Sequence, residues 1–218
     1  MKTKKTSKRK NFSPETISRL SLYLRNFKLL RDTGTLTISS DKVAQFLNVT
    51  PEQFRKDLSF FGGFGKRGVG YNVERLVSEL ESILGVNKEW RIAVVGIGSL
   101  GSALLGFGGF TKFNIKITHA FDVSKDKIGK RRAGIKIDDV KRLKATIKKH
   151  KIRIVIISTP ASAAQEIADE LVSSGIRGIL NFAPTALKIP GHVSVSNVDM
   201  ACELERLIFF AKKQIMAR

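Results

Sequence analysis

Only one cysteine, Cys202, stands in the 218 residues, so an intrachain disulfide and a thiolate metal cluster are both excluded, and a reducing, cytoplasmic setting is expected. Histidine is almost as scarce, with three in the chain: His119 on an apparent strand, and His150 and His192 in loops beside strands. No His–carboxylate pair, nucleophile motif or metal-ligand cluster accompanies them, which argues against an enzyme and against a bound metal. No apolar run approaches the roughly eighteen residues a membrane span requires. The basic N-terminus leads into no signal-peptide core, so a soluble protein without membrane association is expected. The remaining shortage is of acid: 19 Asp and Glu face 39 Lys and Arg, a formal net charge of +20.

That excess suits a polyanionic partner, because clustered Lys and Arg release counterions when they neutralise phosphates. Part of it lies in residues 1–12, a tail read as disordered that carries Lys2, Lys4, Lys5, Lys8, Arg9 and Lys10. Residues 1–85 hold 16 basic and 8 acidic residues, and the remainder holds 23 and 11. Much of the excess therefore falls outside any evident DNA-binding motif.

Residues 13–85 read as a helical module with a wing. Ser13-Pro14 offers an N-cap and first-turn proline, and Ile17, Leu20, Leu24 and Phe27 recur at helical spacing until Gly34. Ser40 is the expected cap of a second helix with Val43, Phe46 and Leu47 inward, and Asn48-Val49 turns the chain into Thr50. Thr50-Pro51-Glu52-Gln53 predicts a capping box and a third helix ending near Gly62-Gly63, with Phe54, Leu58 and Phe61 inward. Its other face presents Gln53, Arg55, Lys56 and Ser59, donors that reach base edges and phosphates in a major groove. A helix-turn-helix from about Tyr23 to Phe61 accounts for this spacing. Lys66 and Arg67, flanked by glycines and aromatics, read as the tip of a hairpin wing. Asn72 caps a fourth helix with Val73, Leu76, Val77, Leu80, Ile83 and Leu84 inward until Gly85.

From Trp90 the pattern changes to buried strands at Ile92–Val95, Ile115–Phe121, Ile152–Ser158 and Ile179–Phe182, with a last one within His192–Val198. Alternation with helices predicts an α/β domain, residues 89–198, with a Rossmann-type parallel sheet. Gly96-Ile97-Gly98-Ser99-Leu100-Gly101 follows the first strand and opens a helix, the context in which such glycines let a backbone approach a pyrophosphate. Asp122, 21 residues beyond Gly101, sits where a carboxylate accepts hydrogen bonds from both adenosine ribose hydroxyls and disfavours a 2′-phosphate. NAD(H) is therefore expected over NADP(H). Thr159 and Pro160 follow the strand Ile152–Ser158 at the carboxyl rim of the sheet, a place for a nicotinamide contact and equally for a simple turn. Residues 199–218 are apolar on more than one side, so a helix there needs more than one covering surface.

Together, Tyr23-Leu24-Arg25, Arg55-Lys56-Asp57-Leu58-Ser59-Phe60-Phe61-Gly62, the segment from Phe64 to Tyr71, Ala120-Phe121-Asp122-Val123, Gly178 to Pro184 and Asn197-Val198-Asp199 resemble the redox-sensing transcriptional repressor Rex family. The resemblance covers essentially everything after the tail. It implies a winged-helix and Rossmann architecture, and a homodimer that exchanges its C-terminal helix between subunits. It also implies repression on double-stranded operator DNA, with release on NADH and binding permitted by NAD+. Arg25 and Asp199 resemble polar partners in the family's state-dependent interface, with Met200 beside them. Phe107 stands where members commonly have Tyr, so a phenolic hydrogen bond to Asp199 is unavailable. A dehydrogenase with a basic accessory domain, and a regulator sensing another adenine nucleotide or a CoA-like molecule, are the competing readings; a Rossmann fingerprint reports pyrophosphate better than nicotinamide.

Overall fold

The computed structural model describes residues 12–66 and 68–216. The expected tail up to Asn11, the side chain of Lys66 and all of Arg67 lie outside the described residues. The chain divides between Lys88 and Glu89 into two compact units.

In the first unit, helix α1 (Pro14–Asp32) starts where Ser13 Oγ accepts the Thr16 N–H. A short strand β1 (Thr37–Ile38) follows, then α2 (Ser40–Leu47), α3 (Pro51–Ser59), β2 (Gly65–Lys66), β3 (Gly70–Asn72) and α4 (Val73–Leu84). The three strands form one antiparallel sheet in the order β1-β3-β2. The wing is thus a hairpin braced by a strand that no periodicity in the sequence announces. Leu20, Leu24, Phe27, Val43, Phe54, Leu58, Val73, Leu76, Val77 and Leu80 make the core, with Tyr23 and Tyr71 buried among them.

Several details depart from expectation. The cap of α2 is Ser39, whose Oγ accepts the Lys42 N–H, and Ser40 is already helical. Val43 and Ala44 lie on the buried stripe, and Phe46 points out, 67% exposed, beside Leu29 and Leu30 of α1. Helix α3 stops at Ser59, short of the glycines, where Ser59 Oγ donates to Lys56 O and Phe61 N–H to Leu58 O. Only half of the capping box forms. Thr50 Oγ1 accepts the Gln53 N–H, while the Gln53 amide reaches forward to Asp57.

The second unit is a seven-stranded sheet with the order β10-β9-β8-β4-β5-β7-β6. Its elements are β4 (Trp90–Val95), α5 (Ser99–Gly106), β5 (Ile115–Asp122), β6 (Arg131–Arg132), β7 (Ile135–Asp139), α6 (Leu143–His150), β8 (Ile154–Ile157), α7 (Ala161–Ser173), β9 (Gly178–Asn181) and β10 (Ser194–Asn197). The sheet is parallel except at its edge, where β6 pairs antiparallel with β7. Nothing in the sequence pattern announces this hairpin, because Arg131-Arg132 carries no apolar alternation. Ile92 and Val94 face one core, Ala93 and Val95 the other, so β4 is buried on both sides as a central parallel strand should be. His150 ends α6 instead of lying in a loop, its ring 4.6 Å from that of His119.

The chain leaves β4 first towards β5 and later, through β8, in the opposite direction. The order therefore reverses between β4 and β8, and the carboxyl ends of these two strands flank the crevice where open α/β sheets bind ligands. A final helix, α8 (Met200–Met216), begins under Asp199, whose Oδ1 accepts the N–H groups of Ala201 and Cys202. Leu204, Leu207, Ile208, Phe209 and Phe210 on it are all more than half exposed. Among the described residues no helix is long and apolar enough to cross a membrane.

Candidate functional site

The outer face of α3 carries the expected donors in unequal states. Lys56 is exposed. Arg55 donates to Ser40 Oγ and to Glu52 Oε1, both at 2.8 Å, while its side chain remains half exposed. An exposed pair of this kind contributes about 0–1 kcal/mol, so a phosphate exchanges with Glu52 at little cost. Ser59 is turned onto its own helix and Gln53 onto Asp57. Beside α3, Ser40, Arg55, Ser59, Gly65, Gly68 and Tyr71 line one groove between the helix and the wing.

Behind that face lies a network that sequence reasoning missed. Asp57 is fully buried, and Arg19 grips it in a two-point clamp, Nε to Oδ2 at 2.6 Å and Nη2 to Oδ1 at 2.7 Å. Tyr23 Oη donates to Oδ2 and Gln53 Nε2 to Oδ1, each at 2.8 Å. Burial alone would raise the Asp57 pKa, but the hydrogen bonds from Arg19, Tyr23 and Gln53 together hold it below the usual carboxylate value. Four lone-pair directions meet four donors, so the charge is satisfied and α3 is fixed in rotation on α1. The available signal was an acid on the inward stripe of α3, between Phe54 and Phe61, facing a helix with Arg19 and Tyr23 four residues apart.

In the second unit the glycine loop separates into glycines fixed by the fold and one that is not. A Cβ on Gly96 (φ +91°) would lie 2.6 Å from Ser158 O, and one on Gly101 would run into Gly96 O. These two glycines let the loop pass close to the end of β8. At Gly98 a Cβ would meet nothing within 4 Å, and the residue, with φ −77°, caps α5 with no side-chain hydrogen bond. Packing gives no reason for glycine at this position. Close approach of a pyrophosphate to the backbone does.

Asp122, 6% exposed at the end of β5, is already engaged: Oδ2 accepts the Ile97 N–H at 2.7 Å and Lys127 Nζ at 3.0 Å, and Oδ1 accepts the Ser124 N–H at 2.8 Å. Burial would raise its pKa, but the hydrogen bonds from Ser124, Ile97 and Lys127 outweigh it and lower the value. The carboxylate holds the glycine loop, and one lone-pair direction on Oδ1 is left for a ribose hydroxyl. Across the crevice, Thr159 Oγ1 is buried and lacks a hydrogen-bond partner, a costly state unless a ligand or water completes it. The groups present therefore fit a dinucleotide: Gly98 and the N-terminus of α5 for the pyrophosphate, Asp122 for the ribose, and Thr159 at the far side. Pro160 serves as the N-cap position of α7.

Phe107 is 58% exposed, stacks edge-on with Phe110 at 4.9 Å and covers Gly109. Arg25 is exposed on α1, Asp199 caps α8, and Met200 is 58% exposed at its start.

Comparison with known proteins matches residues 11–59 to the family described as a putative DNA-binding protein N-terminus, and residues 87–185 to the CoA binding domain family. A redox-sensing transcriptional repressor Rex from Syntrophobacter fumaroxidans is 46% identical over 195 residues, covering 89% of this chain and 93% of the relative. Among solved structures, RSP in complex with β-NAD+ and operator DNA aligns with TM-score 0.90 at 34% identity, over 94% of this chain and 95% of that one. RSP in complex with β-NADH aligns with TM-score 0.84 at 33% identity, over 94% and 96%. With that identity spread over nearly the full length of both partners and through both units, the chain belongs to the Rex family of redox-sensing transcriptional repressors.

Proposed function

We propose that this protein is a cytoplasmic, homodimeric repressor that holds double-stranded operator DNA through its N-terminal unit and releases it when NADH replaces NAD+ in the C-terminal unit. The observation that carries the sensing half is Gly98, the one fingerprint glycine that the fold does not require, together with the orphaned hydroxyl of Thr159. The residues Gly96 to Gly101, Asp122, Thr159 and Pro160 form the dinucleotide site. Arg55, Lys56, Lys66 and Arg67 contact DNA, and Gln53 acts by holding Asp57 more than by reading bases. The apolar surface of α8 supports dimerisation through this helix, since patches of that size on a lone chain mark interfaces. Arg25 and Asp199 are the state-dependent partners, and Phe107 and Met200 lie at the same switch.

Release on NADH requires the two cofactors to differ in affinity for the DNA-competent and the released arrangement. The test uses a duplex that the protein itself selects from a random pool. Arg55→Ala with Lys56→Ala weakens binding to that duplex at least tenfold and leaves the NADH affinity, read by fluorescence titration, unchanged. Equal losses in both assays would contradict the division of labour.

A further inference from the structure

The basic excess of the second unit is not spread over it. Residues 125–153 hold 13 Lys and Arg against 3 Asp and Glu, while the rest of residues 89–218 holds 9 against 8. This segment runs from the loop after β5 through the β6–β7 hairpin into α6. Helix α6 buries Leu143 and Ile147 and turns its other side to solvent. On that side Lys144 and Lys148 stand four apart on one helical stripe with Lys149 beside them, Lys141 lies in the 3-10 turn just before the helix and Lys151 just past its end. For these five lysines no ion pair occurs among the described residues, whereas Lys136 and Arg142 both approach Asp138.

Helix electrostatics accounts for only half of this stripe. Lys148 and Lys149 in the last turn suit the negative end of the α6 dipole. Lys144 is in the first turn, at the positive end, where cations are unfavourable and where α6 has no acidic residue; Lys141 stands just before it, in a 3-10 turn (Val140–Arg142) that Asp139 caps. A row of unpaired like charges that includes the disfavoured end calls for an external polyanion.

We propose that the lysine face of α6 and its two flanking turns, Lys141 to Lys151, is a second DNA-contacting surface, one that binds duplex phosphates without reading sequence. The stripe spans about 15 Å, and duplex DNA presents one charge per roughly 1.7 Å of axis, so several lysines meet phosphates at once. Lysine suits such a surface, being a flexible point charge without the planar fork that reads guanine, and phosphate contacts position without specifying. The surface adds salt-dependent affinity to whatever the N-terminal unit contributes.

The experiment compares the full chain with its Lys144→Gln/Lys148→Gln/Lys149→Gln/Lys151→Gln variant on a long duplex of unrelated sequence, across a salt series. Each lost phosphate contact flattens the log–log salt slope by about 0.9, so a change of about 2 to 4 and an affinity loss of about tenfold or more at low salt are expected. Lys144→Glu/Lys148→Glu gives a larger loss by repulsion. NADH affinity and thermal unfolding, both unchanged, show that the variants are folded. An unaltered slope and affinity would overturn the proposal. So would a variant that loses binding to vesicles containing phosphatidylglycerol while its DNA slope is kept, which would assign the surface to lipid. The Arg55→Ala/Lys56→Ala result bears on the operator interface alone, so either reading can fail without the other.

Discussion

Asp57 and Asp122 are the two buried carboxylates among the described residues, one in each unit, and they are satisfied by different means. Asp57 is neutralised wholly by side chains, two of them from a helix more than thirty positions away in the chain. Asp122 is held by one backbone N–H of the glycine loop it supports, Ile97, by one of its own turn, Ser124, and by one lysine that is itself substantially exposed. The first is a structural lock behind α3, the helix proposed to meet DNA. The second keeps a loop in shape and retains one acceptor direction towards a ligand. On the proposed assignment, the buried charge in the first unit therefore serves position, and the one in the second serves position and recognition together.

Removing the lock gives the largest effect expected from this comparison. Asp57→Ala leaves Arg19 and Tyr23 without their acceptor and destabilises the first unit by about 2–4 kcal/mol, since breaking a buried pair costs roughly 3–5 and Arg19 keeps some access to solvent. Operator affinity falls more than tenfold, hydrogen exchange in α1 and α3 accelerates, and NADH affinity stays as it was. A variant with normal operator binding would show that α3 is oriented by apolar packing alone.

Asp122→Asn sharpens the other side. It exchanges a charged acceptor of three hydrogen bonds for a neutral one, a loss of about 1.5–3 kcal/mol per charged bond at most. NADH affinity drops roughly 10- to 100-fold in a fluorescence titration, and operator binding without cofactor is retained. Next in size is Gly98→Ala. Its φ suits alanine and its Cβ meets nothing, so unfolding shifts by about 1 kcal/mol or less, yet NADH binding weakens about tenfold. Unchanged NADH binding there would remove the argument that this glycine exists for the pyrophosphate.

The smallest effect concerns pH. Both carboxylates have folded pKa values below their unfolded ones, near 3.9 for Asp. Their contribution is therefore fully present above about pH 4 and is lost as pH falls through the lower, folded-state values. Circular dichroism should show both units intact from pH 8 to 5 and weakening only in stronger acid. Loss of one unit between pH 6 and 5 would point to His119, whose pKa burial and the neighbouring His150 lower, and not to either aspartate.

The same contrast explains how much could be read from the sequence. The glycine loop, Asp122, the caps at Ser13 and Asn72 and the alternating strands are local patterns, each set by residues within a few positions or by a fixed spacing along the chain. The Asp57 clamp depends on which face of α1 meets α3, and no spacing encodes that, although an aspartate on an apolar stripe marks the place. The brace strand Thr37–Ile38 and the Arg131–Arg132 edge are two-residue pairings fixed by their neighbours, too short for periodicity to show. Phe46 went astray for a simpler reason: at 100° per residue it lies about 60° from Val43 on the side away from Ala44 and Leu47, so the stripe that packs leaves it at the solvent edge, and apolarity alone does not tell the two edges apart.

The central claim joins the two units: cofactor state in one sets DNA affinity in the other. Its most direct test is operator affinity measured at fixed salt and fixed total cofactor while the NADH/NAD+ ratio is raised. A progressive fall in affinity as NADH replaces NAD+ is the predicted result. Binding that stayed the same from saturating NAD+ to saturating NADH would contradict it.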